Sequence, residues 1–200
     1  MTTEQVHLPG AGSARATFPD KPVLVFWETT RACELSCVHC RASAIREPLP
    51  GQLSTEEGKR LIDEVASFGR PSPVMIFTGG DPLLRDDLFG LLAHATDMGV
   101  HFAVSPAASD LLNLETLRRL KASGASAISL SLDGPTEEAH DTIRREPGTF
   151  RRTVRAAQEA VSLGLNVQIN TTVMRNNFDD IPAIFRLMPA QKRFSIRFGG

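Results

Sequence analysis

The chain has 200 residues, 42% of them hydrophobic and 22% charged, a globular composition, and it is long enough to bury a core without cross-links. Lys plus Arg is 22 and Asp plus Glu is 23, so the net charge of −1 gives no general attraction to nucleic acid or anionic membranes. No apolar run approaches the ~20 residues that span a bilayer, and the N-terminus lacks a basic-then-apolar export signal; a cytoplasmic protein with neither nucleic acid nor membrane as partner is expected.

Residues 1–22, rich in Gly, Ala, Thr and Pro, read as a loose N-terminal arm, and residues 23–200 as one domain. The first strand is the β-prone run Val23 to Trp27, with Phe26 and Trp27 assigned to packing; a cysteine-bearing loop and the Pro-rich stretch Glu47 to Gly51 follow. Ser54-Thr55-Glu56-Glu57 has capping-box spacing and opens a helix carrying Leu61, Ile62, Val65 and Phe68 before Gly69. A second strand, Val74 to Phe77, leads through Gly79-Gly80-Asp81-Pro82 into a helix with Leu88, Leu91, Leu92, Ala95 and Met98. Val100 to Val104 is the third strand, ending at Ser105, and Leu114, Leu117 and Leu120 mark the next helix. Ala127 to Leu132 is the fourth strand, and Phe150, Val154, Ala157 and Val161 mark a helix ending near Gly164. Val167 to Val173 is the fifth strand, a helix uses Ile181, Ile184, Phe185 and Met188, and Phe194 to Phe198 is the sixth strand. The basic stretch Arg144, Arg145, Arg151, Arg152 and Arg155 reads as a solvated helix face.

Strands separated by helices pair in parallel through right-handed crossovers, which makes the fold α/β. Ser129, Ser131 and Asp133 alternate with Ile128, Leu130 and Leu132, and Gln168, Asn170 and Thr172 with Val167, Ile169 and Val173. A parallel strand covered by apolar layers on both faces would be continuously apolar, so one face of this sheet lines a polar cavity. A partial parallel (β/α)6 barrel, open or truncated after the sixth strand, is the expected architecture. The unusual residues sit at C-terminal strand ends, where such folds place their chemistry.

Cys33, Cys37 and Cys40 are the only cysteines, an odd count in one loop, which points to reduced thiols holding metal rather than to disulfides. The spacing C-x3-C-x2-C can wrap one iron-sulfur cluster and leave one iron without a protein ligand. A zinc site with a histidine such as His39 is the competing reading, although His39 adjoins Cys40 and cannot easily share a tetrahedron with it.

The segment Cys33-Glu34-Leu35-Ser36-Cys37-Val38-His39-Cys40 after a first strand, with Gly79-Gly80-Asp81-Pro82 after the second, resembles the radical S-adenosylmethionine (SAM) superfamily. The resemblance extends from Pro22 to Phe198. Trp27 to Cys33 and Ser129 to Gly134 look like the branch of heme-modifying enzymes and peptide or cofactor maturases, many of which carry a C-terminal SPASM extension; no cysteines remain for such an extension here. The resemblance implies a [4Fe-4S] cluster on Cys33, Cys37 and Cys40 whose open iron chelates SAM, an electron donor such as flavodoxin or ferredoxin, and a tetrapyrrole, other small molecule or peptide as substrate. It implies that Gly79, Gly80, Asp81 and Pro82 hold the SAM amino group, with Asp81 where the family usually has Glu. Ser131 and Asp133 correspond to contacts with ribose or carboxylate, Asp133 serving equally well as a turn residue. Arg144, in His140-Asp141-Thr142-Ile143-Arg144, corresponds to a partner of the SAM carboxylate, with Arg145 where Gly usually follows. Asn170 and His39 are candidates for adenine or ribose, each with an ordinary structural explanation beside it. The alternative is a cluster- or partner-binding module without catalysis.

Overall fold

A computed structural model describes residues 20–40, 42–187 and 194–199. Its strands are β1 (Leu24–Thr30), β2 (Val74–Gly79), β3 (Phe102–Val104), β4 (Ala127–Ser131), β5 (Asn166–Thr172) and β6 (Phe194–Gly199). Its helices are α1 (Thr55–Ser67), α2 (Leu88–Asp97), α3 (Leu114–Ala122), α4 (Glu137–Arg144), α5 (Thr149–Ser162) and α6 (Ile181–Leu187). The strands pair in parallel in the order β1-β2-β3-β4-β5-β6, so each crossover carries a helix back to the start of the next strand. This open sheet with helices on one face is a partial barrel. Among the described residues no helix is long and apolar enough to cross a membrane.

Register and two-residue alternation give the sheet two unlike faces. Trp27 pairs with Phe77, Phe77 with Val104, and Leu130 with Ile169; these side chains are buried under the helices. Trp27 and Phe77 rings lie 5.5 Å apart, and Phe77 and Phe102 rings 5.7 Å, continuing the packing across three strands. Ile62, Val65, Leu91, Leu92, Leu117 and Leu120 complete that layer from the helices, and Ala156, Ala157 and Ala160 let α5 approach closely. The other face carries Glu28, Thr78, Ser129, Ser131, Gln168, Asn170 and Thr172, the polar lining that the alternation predicts.

The capping box at α1 forms: Ser54 Oγ accepts from Glu57 N–H, and Glu57 accepts from Ser54 N–H. Several expectations shift. Phe68 and Met98 are the C-cap residues of α1 and α2, past the last full turn, and are exposed rather than in the core. Phe185 is also exposed, Met188 lies outside the described residues, and Phe26, assigned to packing, is 53% exposed on the open face. Val100 is buried, but its N–H turns back to Ala95 O to close α2, so β3 begins at Phe102. The helix α4 went unpredicted; its signals were the Thr136 cap and the acidic first turn Glu137-Glu138, but only His140 and Ile143 are buried along it. Arg144 and Arg152 do not lie on a solvated face: Arg152 donates to Ala108 O and pairs with Asp110, and Arg144 turns inward.

Candidate active site

The cysteine loop leaves the C-terminal end of β1 and is pinned at both ends. Cys33 N–H donates to Ile45 O at 2.8 Å and Ile45 N–H to Arg31 O at 3.0 Å, while the Arg31 guanidinium donates to the Ala42 and Ser43 carbonyls. Each thiol has an N–H donor: Leu35 N at 3.4 Å on Cys33, Ala44 N at 3.3 Å on Cys40, and Arg144 Nη1 at 3.6 Å on Cys37. All three are free cysteines and all three line one cavity of about 510 Å³. Burial pushes the Cys33 thiol up to about 11 against the Leu35 N–H, with Asp81 and the other two cysteines adding to the rise. Such a thiol gives up its proton when a metal supplies the compensating charge.

Donors to sulfur are the environment in which iron-sulfur clusters are held, and three thiols on one cavity wall fit that group. Among the described residues no group of three or more His, Cys, Asp or Glu side chains is close enough to hold a single metal ion.

The loop after β2 lies flat against the start of the cysteine loop. Gly80 N–H donates to Thr30 O at 2.8 Å and Asp81 N–H to Ala32 O at 2.7 Å. Gly79 has φ +133°, and a Cβ there would overlap the Thr30 carbonyl oxygen; at Gly80 it would overlap that of Ala32. Both glycines line the cavity. The Asp81 side chain does not: wholly buried, it accepts from Ser109 Oγ at 2.7 Å, Leu83 N at 3.1 Å and Ala107 N at 3.3 Å. Burial raises its pKa against those three donors. Pro82 is buried as well, at the start of a short 3-10 turn. These two residues brace the glycines from behind, joining the loops after β2 and β3.

At the end of β4, Ser131 faces the cavity. Asp133 stands behind the wall, fully buried. One carboxylate oxygen accepts from Arg144 Nη2, the other from Thr172 N at 2.8 Å; its carbonyl accepts from Asn177 Nδ2 at 3.0 Å, and its N–H donates to His140 Nδ1 at 3.0 Å. Asn170 stands on the polar face of β5 beside the cavity-lining Thr172, its Oδ1 accepting from Gln168 Nε2 at 2.7 Å. His39 and Arg144 do line it, His39 Nε2 lying 3.6 Å from Asp133. Burial holds His39 below its ordinary pKa, and the Asp133 charge opposes that shift.

The helix α4 distributes three residues to three neighbours. His140 accepts from the Asp133 N–H, and burial, with the Arg144 cation, pushes its pKa down to about 4; its Nε2 faces no partner among the described residues. Asp141 caps α5, accepting from Gly148 N, Phe150 N and Thr149 Oγ1, donors that outweigh burial and hold its carboxyl below the ordinary range. Arg144 bridges Asp133 and Cys37. Thr172, on the polar face of β5 read from the alternation, lines the cavity; Glu28, Thr78, Thr149 and Thr153 also line it without having been singled out in the sequence. The signal for Glu28 and Thr78 is that each is the polar residue alternating with the apolar Trp27 and Phe77, and the two pair directly across β1 and β2.

The family profile described as the Radical SAM superfamily matches residues 27–188. The AdoMet-dependent heme synthase of Nitratidesulfovibrio vulgaris is 45% identical over 164 residues, covering 82% of this chain and 44% of that protein. The mycofactocin maturase MftC of Mycobacterium ulcerans is 34% identical, covering 82% of this chain and 44% of that protein. The chain thus spans less than half the length of these curated relatives. Streptococcus suis SuiB, in a crystal structure bound to S-adenosylmethionine, superimposes with a TM-score of 0.75 over 90% of this chain and 41% of its own, at 18% identity, a likeness of fold.

Proposed function

Because the chain belongs to the radical SAM superfamily, we propose that residues 23–200 form a core domain that binds a [4Fe-4S] cluster and SAM and starts hydrogen-atom abstraction from a tetrapyrrole substrate. When bound and reduced by one electron, such a cluster supplies reductive cleavage of the SAM sulfonium C–S bond, yielding methionine and a 5'-deoxyadenosyl radical that takes hydrogen from substrate. Cys33, Cys37 and Cys40 would hold it. A one-electron donor protein such as flavodoxin or ferredoxin would deliver the electron.

The observation that carries this reading is that the three thiols and the Gly79-Gly80 backbone line one cavity at the C-terminal strand ends. Lacking Cβ atoms, Gly79 and Gly80 let their carbonyls approach the SAM ammonium, while Asp81 and Pro82 keep that loop in place. Arg144, whose Nε has no partner among the described residues, offers a donor to the SAM carboxylate, and Ser131 one to ribose. His39 flanks the adenosine side. Asp133 acts from behind the wall by orienting Arg144, and Asn170, on the polar face of β5 beside Thr172, is a candidate for adenine or ribose. A cavity of about 510 Å³ accommodates a cofactor-sized ligand.

The greater similarity to the heme synthase than to the maturase favours a tetrapyrrole. A peptide is the second reading, favoured by the fold likeness to SuiB, which has also been crystallised with the precursor peptide SuiA. The test is anaerobic reconstitution with iron and sulfide, then SAM and a strong reductant, with 5'-deoxyadenosine quantified against Cys37→Ala. Formation that depends on Cys37 supports the proposal. A fully loaded cluster that yields none refutes it in favour of a non-catalytic binding module.

A further inference from the structure

The three thiols differ in their donors. Cys33 and Cys40 receive backbone N–H groups, whereas Cys37 receives the Arg144 guanidinium, at 3.6 Å. That guanidinium is not a roaming surface cation. Its Nη2 is tied to Asp133, which is itself fully buried and fixed through Thr172 N, Asn177 Nδ2 and His140 Nδ1. The backbone repeats the contact one residue away, since Val38 N–H donates to Ile143 O at 3.0 Å. The last turn of α4 therefore grips the middle of the cysteine loop by main chain and side chain together. A fixed cation donating to a cluster sulfur stabilises the state with one more electron, because hydrogen bonds and charge at the sulfurs are among the determinants of cluster potential.

We propose that Arg144 is a positioning residue for Cys37 whose N–H donation raises the reduction potential of the cluster held there, beyond any contact with SAM. The inference rests on the proposal that Cys33, Cys37 and Cys40 hold a [4Fe-4S] cluster. Reduction adds one electron to the cluster and changes no covalent bond of the protein; dithionite supplies the electron.

The experiment is an EPR-monitored redox titration of the reconstituted, SAM-free protein: wild type, Arg144→Gln, and Arg145→Gln. The last removes the same charge from the exposed neighbouring position. At a fixed potential the reduced-to-oxidised ratio of Arg144→Gln should fall at least tenfold, equivalent to a midpoint shift of about −59 mV for one electron, with Arg145→Gln unchanged. Equal midpoints for wild type and a fully loaded Arg144→Gln overturn the inference alone. Absence of iron and sulfide from the wild type overturns the cluster reading beneath it. Should Arg144→Gln fail to load, the wild type still decides. Protein grown on 15N-guanidino arginine should show a 15N hyperfine coupling to the reduced cluster that persists in Arg145→Gln, and its absence refutes the contact.

Discussion

His140 offers a test of the site's electrostatics that needs no cofactor. Its Nδ1 accepts the Asp133 N–H inside a buried wall, so the folded protein requires the neutral ring, and burial with the Arg144 cation moves the pKa from the ordinary 6.5 to about 4. Between those values the unfolded chain binds a proton that the folded chain refuses. Stability from this residue is therefore complete above about pH 6.5 and lost as the pH falls, levelling out near pH 4 where the native ring also protonates. The slope is at most about 1.4 kcal/mol per pH unit, and the loss across the window about 3 kcal/mol. Urea unfolding of wild type and His140→Leu at intervals from pH 7.5 to 4.5 measures it. The variant leaves the Asp133 N–H unpaired and should be less stable at pH 7.5 by about 1–3 kcal/mol. It should lack the acid slope, so the two stability curves converge toward pH 4.5. Carboxylates remote from His140, such as Asp87, held low by Arg85 and Thr55, are titrated in both proteins and cancel in the difference. Parallel curves would refute the locked neutral imidazole.

Alanine at Cys33, Cys37 or Cys40 should each prevent a stable cluster; full iron and sulfide content in all three variants would remove the cysteines from the metal site. Gly80→Ala forces a Cβ onto the Ala32 backbone and should cost about 1–3 kcal/mol while lowering SAM affinity in equilibrium binding. Gly90→Ala, an exposed helical position where the Cβ meets nothing, should leave binding unchanged and gain up to about 1 kcal/mol. Asp81→Ala abandons two backbone N–H groups and the Ser109 hydroxyl, so its cost in urea unfolding should exceed that of Ser109→Ala, and a double-mutant cycle should give clear coupling between them. Asp141→Ala uncaps α5 from a distance and should cost about 1–2 kcal/mol, without changing iron content.

The parts of this fold that were legible in the sequence repeat a period. Six strand runs, the capping box at Ser54 and the polar face of β4 and β5 each depend on near neighbours in the chain, and the structure has all of them, with strand ends moved by up to three residues. The site was legible where the residue type itself picks the chemistry: three thiols in one loop, and glycines at which an added Cβ would strike carbonyl oxygens. It was illegible where a side chain's partner lies in another loop. Asp81 and Asp133 look like ligands from their motifs, yet each turns away from the cavity because uncommitted N–H and O–H donors surround it. Nothing near Asp81 in sequence announces Ser109 or Ala107, which the β3 loop brings to it.

The same distinction explains α4. Eight residues are too few for a helix to persist by itself, so its stability must come from tertiary anchors. They follow from helical geometry. His140 and Arg144, four residues apart, share a face and both reach the strand ends, while Asp141, about 100° around, meets the N-terminus of α5. One short helix thereby fixes the turn after β4, the start of α5 and the middle cysteine. Order in the cysteine loop and order in α4 are then two sides of one equilibrium: whatever holds Cys37 in place also stabilises the helix that donates to it, through the Val38–Ile143 bond and the Arg144 fork. Loading the thiols with metal should for that reason slow amide exchange in α4, at the carbonyl-bonded N–H groups of its last turn, as well as in the loop that carries the ligands.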